Sequence, residues 1–285
     1  MIHSMTGYGK SVLQLPTKKI TIELKSLNSK NLDLNARMPS IYREKELYLR
    51  KLMAKELDRG KIDFSIYVEA TAEDTSTKIN TPVVKQYIQQ LKNVVDGSEI
   101  ELLKMAVRFP DALNTEREEI DNTEWAKIEA EIKVAILAIN DYRLNEGKVL
   151  EADFKNRVAT IEDLLEQVLT MDPERVEGVR ERLKKGVEDL REKYDENRFE
   201  QELVYYIEKF DITEEKVRLK NHLEYFVATL NSKDSNGKKL AFIGQEMGRE
   251  INTIGSKSNY APMQQLVVQM KDELEKIKEQ LLNVL

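Results

Sequence analysis

The first 70 residues alternate between apolar and polar positions with a period of two. Ile20, Ile22 and Leu24 are separated by polar residues, and residues 62–68 repeat the alternation. A period of two is typical of strands that bury one face. Between these runs, residues 41–57 carry leucines at helical spacing, so we predict a small N-terminal α/β head.

Beyond residue 75 the apolar spacing changes to three and four residues, which is typical of helices. A long helix is predicted over residues 122–171 and is expected to end at Pro173, because proline lacks the N–H that a helix interior needs. The stripe after the proline is predicted to form a long antiparallel partner helix. Its apolar positions are Val176, Val179, Leu183, Val187, Leu190 and Tyr194.

The residues from 211 onward predict three more helices. Asp211 and Glu214 have the spacing of a capping box, which predicts a helix from there to Leu230. A polar loop over residues 231–237 leads to the second helix, and a near-heptad stripe in the last helix predicts a core or a subunit contact. That stripe consists of Met263, Leu266, Met270, Leu274, Ile277 and Leu281.

The predicted fold class is therefore α+β, with a small N-terminal α/β head followed by a predominantly helical body of long antiparallel helices. We divide the chain into three regions. They are a basic N-terminal α/β domain at 1–75, a long helical arm region at 76–205 and a C-terminal helical domain at 206–285.

Composition narrows the class of protein. The 285 residues include no cysteine, which excludes disulfides, thiolate zinc sites and cysteine nucleophiles. No window contains about 20 consecutive apolar residues, and the N-terminus has no basic region followed by an apolar run. We therefore expect a cytoplasmic protein without a membrane partner.

The net charge of −6 argues against a protein that coats nucleic acid generally. The charge is unevenly distributed, because residues 1–70 contain 13 lysines and arginines against 8 acidic residues, which leaves the other 215 residues with a net charge of −11. A basic head on an acidic body indicates a surface for a polyanion. If several heads surround a common opening, the positive field is concentrated there.

Residues 244–259 place amides, carboxylates and cations on one short helix. At helical spacing these groups lie on two neighbouring stripes, an arrangement suited to holding a phosphate or a hydrated divalent metal. A solvated helix face that ends in a glycine C-cap explains the same pattern. The residues are Gln245, Arg249 and Asn252 on the first stripe, Glu246, Glu250 and Thr253 on the second, and Lys257 in the turn that follows.

The preceding helix carries a second set of polar residues. Glu215, Arg218 and His222 lie on one face, where they can bind phosphate and transfer a proton. A helix-face salt bridge beside a partly buried histidine is the alternative. Hard cations prefer carboxylate oxygens, so the best ligands for Mg²⁺ or Mn²⁺ are four glutamates. They are Glu214, Glu215, Glu246 and Glu250.

Several known motifs are absent from the sequence. It contains no Walker phosphate loop, no Rossmann glycine fingerprint, no His-Glu-x-x-His and no Gly-x-Ser-x-Gly elbow. The aromatic strand pair of an RRM and the Gly-x-x-Gly loop of a KH domain are not recognisable either. The nucleotide-binding, hydrolase and RNA-binding modules that carry these particular motifs are therefore excluded.

Four blocks of residues nevertheless carry a family resemblance. They are Ser4-Met5-Thr6-Gly7-Tyr8-Gly9; Glu23, Ser26, Asn28, Leu32, Asp33, Arg37 and Pro39 with Arg59-Gly60-Lys61; Arg143, Glu146, Gly147, Leu150 and Asp153; and Asp211 to Glu215, Arg218, Leu219 and His222 with Gly237 to Leu240 and Gln245 to Ser258. On these blocks the chain resembles the YicC/YloC family of bacterial stress-linked proteins, described as endoribonucleases. The resemblance covers nearly the full length.

The chain departs from the family pattern at several positions. Acidic residues are usual in place of Ala241 and Tyr260, and asparagine is usual in place of Gly248. The two missing carboxylates weaken a metal role for positions 241 and 260. Lys25 and Lys30 stand where arginine is frequent, which keeps the charge but loses bidentate phosphate geometry.

The resemblance implies cleavage of RNA phosphodiester bonds, assisted by a divalent metal, in a ring-like homohexamer whose basic heads line the opening. In that arrangement Arg37, Arg59 and Lys61 hold the RNA backbone. Carboxylates hold the metal, and nearby cations stabilise charge at the scissile phosphate. The implied catalytic residues are Glu246, Glu250, Arg249, His222 and Lys257, and the other implied RNA contacts are Asn28, Lys30, Arg218, Gln245 and Asn252.

Two further interpretations remain open on sequence alone. The chain can be a non-catalytic RNA-binding or adaptor oligomer that works with a partner ribonuclease. It can also be a purely structural helical scaffold.

Overall fold

The computed structural model describes residues 2–57, 59–70, 77–115, 120–189, 196–232 and 237–285. It confirms the α+β fold class, with a four-stranded sheet at the N-terminus and a helical body after it. Leu190 and Tyr194 of the predicted stripe, residues 233–236 of the predicted loop and the predicted boundary at residue 75 lie outside the described residues. None of the helices in the described ranges is long and apolar enough to cross a bilayer.

The N-terminal sheet has the strand order β1-β2-β4-β3. The pairs are antiparallel except for β3 and β4, which run parallel. Gly60 opens β4 with a φ of +126°, a value that a side chain would strain. The strands are β1 (Gly7–Gln14), β2 (Lys18–Leu27), β3 (Leu32–Arg37) and β4 (Gly60–Ala70).

The sheet buries one face and exposes the other. Leu24 and Phe64 lie on the buried face, which packs against α1 (Glu46–Glu56) and the first turns of α4 (Asn122–Asp189). A short 3₁₀ turn, Ser40–Lys45, precedes α1. The predicted period of two is confirmed, because buried positions alternate with more exposed ones along β2.

Helix α4 continues through Pro173, so the predicted break and the antiparallel partner helix after it are wrong. The hydrogen bond that proline removes would reach the carbonyl of Leu169, and both residues lie on an exposed side of the helix, where water can replace it. On the buried side, Arg175 Nε donates to Asp172 Oδ1 at 2.8 Å and Arg175 Nη2 donates to the Phe210 carbonyl at 3.0 Å. This clamp holds both flanks of the proline in one helix.

A small separate unit lies between the sheet and α4 in the sequence. Two short antiparallel strands, β5 (Thr77–Ile79) and β6 (Leu113–Thr115), frame it. Helices α2 (Thr81–Lys92) and α3 (Glu99–Ala106) pack against each other around Val84. This unit has its own small core and supplies none of the predicted site residues.

Four helices complete the body, together with the second half of α4. Arg157 on α4 donates to Glu273 on α8 at 2.8 Å. All six residues of the predicted near-heptad stripe are buried in the core that these helices share. The helices are α5 (Glu196–Lys209), α6 (Thr213–Leu230), α7 (Gly237–Lys257) and α8 (Ala261–Leu281).

The start of α6 differs from the predicted capping box. Asp211 Oδ1 accepts hydrogen bonds from the Thr213 N–H at 3.1 Å and the Thr213 hydroxyl at 2.7 Å. Glu214 instead forms an ion pair with Arg218. The helix begins two residues later than predicted, so Glu214 lies too close to the first turn to reach back to Asp211.

Both ends of the chain are bound to the body at one place. The Leu285 N–H donates to the His3 carbonyl at 2.9 Å, and Arg59 Nη2 donates to the Val284 carbonyl at 2.9 Å. A Cβ added at Gly237 would lie 2.5 Å from that same Val284 oxygen. The start of β4, the C-terminus and the start of α7 therefore meet, which places the basic head beside α7.

Candidate functional site at the seam between α6 and α7

Two contacts fix which sides of α6 and α7 face each other. At one end Lys257 Nζ donates to Glu215 Oε1 at 2.7 Å, and at the other Lys239 Nζ lies 4.7 Å from the centroid of the Tyr225 ring. The contacts show that the two helices run antiparallel. Lys239 and Lys257 are 18 residues apart, which is five full helical turns, so they share one stripe of α7. We call the line where these two sides meet the α6–α7 seam.

Glu250 and His222 lie along the seam, between its two end contacts. Glu250 precedes Lys257 by seven residues and His222 follows Glu215 by seven, so both lie two turns, about 10 Å, from the ion pair at the end. Glu250 is only 8% exposed and belongs to the otherwise uncharged buried stripe of α7. Within the described residues its carboxylate has no hydrogen bond and no ion pair. Its two oxygens are not among the fully enclosed polar atoms of the described residues, so the carboxylate reaches solvent from a largely buried side chain.

The Glu215–Lys257 pair closes one end of the seam. Lys257 Nζ also donates to the Asp211 carbonyl at 3.0 Å, so two acceptors hold the ammonium group in place. Glu215 lies in the first turn of α6, where the helix dipole favours a carboxylate. Its second oxygen, Oε2, is buried and accepts no hydrogen bond from the described residues. The lysine is therefore pre-positioned, and its side chain remains partly exposed.

Other predicted residues lie on the outer margin of the seam. Arg249 Nη1 donates to Glu246 Oε1 at 2.7 Å, with the arginine side chain 72% exposed. Arg218 pairs with Glu214 in a similarly exposed position. Exposed ion pairs contribute only about 0–1 kcal/mol, so either guanidinium can exchange its carboxylate for a phosphate. Gln245 and Asn252 are exposed on the same margin.

The four glutamates predicted as metal ligands do not come together. Glu214, Glu215 and Glu246 each pair with a cation, and Glu250 follows Glu246 by one turn of α7 without an ion pair among the described residues. In the part of the chain that the structure describes, no three aspartate, glutamate or histidine side chains are placed to hold a metal ion. The described residues of one chain therefore do not fit a divalent-metal site, and the use of Mn²⁺ or Mg²⁺ stays a prediction.

The RNA-binding residues predicted in the head fall into two groups. Lys61 and Arg37 are exposed on the open face of the sheet, and Asn28 and Lys30 are exposed in the turn between β2 and β3. Arg59 is partly buried, and its bond to the Val284 carbonyl gives it a structural role. Arg59 also lies beside the start of α7, so the head and the seam are neighbours.

Sequence reasoning assigned no site role to Lys239, which it quoted only within a block of the family resemblance, and it did not single out Tyr225. Both lie on the seam, and the cation–π contact between them marks its far end. The interval of 18 residues between Lys239 and Lys257 was the available signal, because five whole turns place both cations on one stripe. For Tyr225 no comparable signal exists, since an exposed tyrosine is ordinary on a helix surface.

A buried polar cluster behind the seam positions α6. Lys216 Nζ donates to Asp172 Oδ2 at 2.6 Å, which ties the first turn of α6 to α4. Asp211 lies just before this turn, and the hydrogen bond that it accepts from the Thr213 hydroxyl lowers its pKa. Partial burial opposes this shift of the pKa, and the hydrogen bond from the Thr213 N–H adds to it. The helix start that carries Glu215 is therefore held by two independent sets of contacts.

Comparison with known proteins identifies the family. Residues 2–152 match the family model described as endoribonuclease YicC-like, N-terminal region, and residues 168–285 match the model for the C-terminal part. A relative from Clostridioides difficile (strain 630), named probable endoribonuclease YicC, is 33% identical over 293 aligned residues and 100% of both chains. A relative of the same name from Haemophilus influenzae (Rd KW20) is 28% identical, again over 100% of both chains. The chain therefore belongs to the YicC-like endoribonuclease family.

Proposed function

We propose that this protein is an endoribonuclease whose reaction centre lies along the α6–α7 seam. One observation carries the proposal. Glu250 is a largely buried side chain whose carboxylate has no partner among the described residues, and both Glu250 and His222 lie two helical turns from the Glu215–Lys257 pair, between the two end contacts of the seam. The full-length relatives named probable endoribonuclease support RNA as the substrate.

The seam supplies the two proton-transfer groups that phosphodiester cleavage needs. The attacking oxygen forms a bond to phosphorus while the bond to the leaving oxygen breaks, so one group takes a proton from the attacking hydroxyl and another protonates the leaving oxygen. Within the described residues, His222 and Glu250 are titratable side chains along the seam that no ion pair holds. We assign them these two roles as a pair.

Cations around this pair stabilise the charge that develops on the phosphate. Lys257 is held by two acceptors and needs no reorganisation, which is the condition under which electrostatic stabilisation is most effective. Arg249 and Arg218 lie on the exposed margin and reach the phosphate by leaving their glutamate partners. Glu246 and Glu214 serve as those partners.

The basic head provides the remaining RNA contacts. Lys61, Arg37, Lys30 and Asn28 are exposed, and phosphate contacts of this kind give affinity without reading sequence. Arg59 lies beside the start of α7, so an RNA strand held by the head can continue towards the seam. We propose that the heads surround the RNA entrance of a ring-like homo-oligomer, a hexamer, in the cytoplasm.

Divalent metal ions enter the proposal only as an assisting factor. The predicted ligands do not gather within one chain, so no step above is assigned to a metal. Metal dependence is measured by removing divalent ions with a chelator and restoring Mn²⁺ or Mg²⁺ while cleavage is followed.

Glu250→Gln tests the assignment of the reaction centre. The amide keeps the size of the side chain but cannot exchange a proton, so we expect cleavage of a structured RNA to fall by at least 100-fold. RNA affinity and subunit number are expected to stay unchanged. The matched control is Glu224→Gln, because Glu224 is exposed on α6 away from the buried stripe. This variant should cleave RNA like the natural protein. Equal cleavage by both variants would remove the role of Glu250.

An RNA-binding adaptor is the second candidate function. It is favoured by the ion pairs that already occupy Glu214, Glu215 and Glu246, since paired carboxylates are common in purely structural surfaces. In that case highly purified protein binds RNA but shows no cleavage with any divalent ion, and activity appears only when a partner ribonuclease is added.

A further inference from the structure

A cleft lies at the edge of the head, between β1 and the flank of α4. It is a shallow depression that is widely open to solvent, with a volume of about 470 Å³. We call it the Tyr8 cleft. Its lining includes Tyr8, Asp141, Tyr142, Asn145, Glu146 and Val149.

Two glycines bring Tyr8 to this position. A Cβ at Gly7 would lie 2.8 Å from Ile139 Cγ1, and a Cβ at Gly9 would overlap the carbonyl oxygen of Ala135. The backbone of β1 therefore lies directly on α4, which no other residue type would permit. This close approach places Tyr8 in one cleft with residues of the helix flank.

The cleft presents two exposed aromatic rings, of which the Tyr8 ring is held in place. Tyr8 is 40% exposed and Tyr142 is 48% exposed. The Tyr8 hydroxyl donates to Glu23 Oε1 at 3.2 Å, and Lys25 Nζ lies 5.9 Å from the centroid of its ring. Exposed aromatic rings that lose little freedom on binding are the usual platforms for stacking nucleobases.

The charges in the cleft favour a base over a phosphate. Asp141 and Glu146 are carboxylates, which repel a phosphate. Glu146 Oε2 already accepts a hydrogen bond from the Thr6 hydroxyl at 2.6 Å, and the remaining lone pairs of both groups can accept from the amino and imino groups of guanine, adenine or cytosine. Asn145 Nδ2 donates to Asp141 Oδ2 at 3.1 Å, so donor and acceptor groups stand side by side. The cleft therefore matches the ring face and polar edge of a nucleobase.

Cations lie next to the cleft, on the open face of the sheet. Strand register pairs Tyr8 with Lys25 and places Lys10, Lys61 and Arg37 on the same face as Tyr8. These side chains are all exposed. A strand of RNA can therefore lay its phosphates across this face while one base turns into the cleft.

We propose that the Tyr8 cleft binds an unstacked nucleobase of single-stranded RNA. A base inside a duplex cannot enter, because its faces are stacked and its edge is paired. The inference rests on the proposed function for its ligand, RNA, but not on the chemistry of the α6–α7 seam.

Binding to RNA with and without bases tests this inference. The probes are a short single-stranded RNA and a ribose-phosphate oligomer of equal length that lacks bases, both followed by fluorescence anisotropy. We expect Tyr8→Leu and Tyr142→Leu to lose about tenfold in affinity for the RNA and nothing for the base-free oligomer. The control is Tyr48→Leu, since Tyr48 is 43% exposed and its hydroxyl also donates to a glutamate, Glu129, but it lies on α1 outside the cleft.

Three results would overturn the inference. They are unchanged RNA affinity in both tyrosine variants, an equal loss for both ligands, and a change in subunit number, which would make the cleft a subunit contact. If the natural protein binds no RNA at all, the proposed function fails as well. If it binds and cleaves RNA while the tyrosine variants bind like the control, only the inference about the cleft fails.

Discussion

At the scale of single residues, Glu250 is the position where function and stability conflict. It is buried in a stripe of α7 that is otherwise uncharged, and its carboxylate has no partner among the described residues. Its oxygens still reach solvent, but placing a carboxylate in an apolar stripe removes part of its hydration, which costs free energy. Sites that keep such a group at this cost are commonly functional.

Glu250→Leu should therefore stabilise the protein. Leucine fits the apolar stripe and removes the desolvation penalty, so we expect the free energy of unfolding in urea to rise by about 1 kcal/mol while RNA cleavage is lost. Leu223→Ala is the reference for a purely apolar position in the facing helix and should lower stability by about 2–5 kcal/mol. If Glu250→Leu lowers stability instead, the carboxylate has a stabilising partner and its functional role loses its main support.

The spacing of residues predicted part of this site. Glu246 and Glu250 are four residues apart, so their common stripe followed from helical periodicity. The burial of Glu250 did not, because it depends on which side of α7 packs against α6, and a charged residue in sequence gives no sign of that choice. The hydrogen bond from Arg59 to the Val284 carbonyl could not be predicted either, since the two residues are far apart in the chain.

At the scale of elements, α4 joins the head to the helical body. Its first turns pack on the sheet around Ile132 and Ile139, and its later turns join the core of the C-terminal helices around Phe154 and Val158. The period of its apolar residues predicted a helix correctly. Its continuation through Pro173 could not be predicted, because the clamp of Asp172 and Arg175 that supports it involves a distant carbonyl.

Two glycines in α4 make a matched test of this packing. A Cβ at Gly147 would overlap the carbonyl oxygen of Ile2, whereas a Cβ at Gly178 meets nothing within 4 Å. We expect Gly147→Ala to lower the free energy of unfolding by about 1–3 kcal/mol and Gly178→Ala to raise it by about 1 kcal/mol, since alanine is the better helix former. Denaturant unfolding followed by circular dichroism measures both, and equal effects would contradict the described position of the N-terminus on α4.

The start of α6 should give a pH-dependent contribution to stability. Asp211 accepts hydrogen bonds from Thr213, and these lower its pKa in the folded state. A lowered folded pKa means that the stabilisation is present above the unfolded pKa of about 3.9 and is lost as the pH falls through the folded value. Both hydrogen bonds are exposed and Asp211 precedes the N-cap residue, so we expect Asp211→Ala to lower the free energy of unfolding by less than about 1 kcal/mol at pH 7 and by progressively less below a pH of about 4. A difference that does not depend on pH would show that the carboxylate is not the stabilising group.

At the scale of the whole molecule, the charge distribution separates RNA binding from reaction. The head is basic and the rest of the chain is acidic. The exposed Lys61, a proposed RNA contact, belongs to the basic head, whereas the seam between α6 and α7 belongs to the acidic body. Sequence alone predicted this asymmetry and the α+β fold class. It did not predict that the C-terminus, the start of β4 and the start of α7 meet, which is what brings the head and the seam together.

Lys61→Ala should weaken RNA binding with little effect on stability. Its side chain is exposed and has no ion pair among the described residues, so its loss removes one phosphate contact. The slope of log affinity against log salt is expected to become shallower by about 0.7 for single-stranded RNA. Glu69→Ala on the same strand is the control and should leave that slope unchanged. A Lys61 variant with the natural slope would place the RNA elsewhere.

The central claim is that this chain itself cleaves RNA at the seam. The most direct measurement follows cleavage across the elution profile of a sizing column, for the natural protein and for Glu250→Gln purified side by side. We predict that cleavage follows the protein peak of the natural chain and is absent from an equal peak of the variant, which elutes at the same position. Equal cleavage in both profiles, or cleavage that elutes apart from the protein, would contradict the claim.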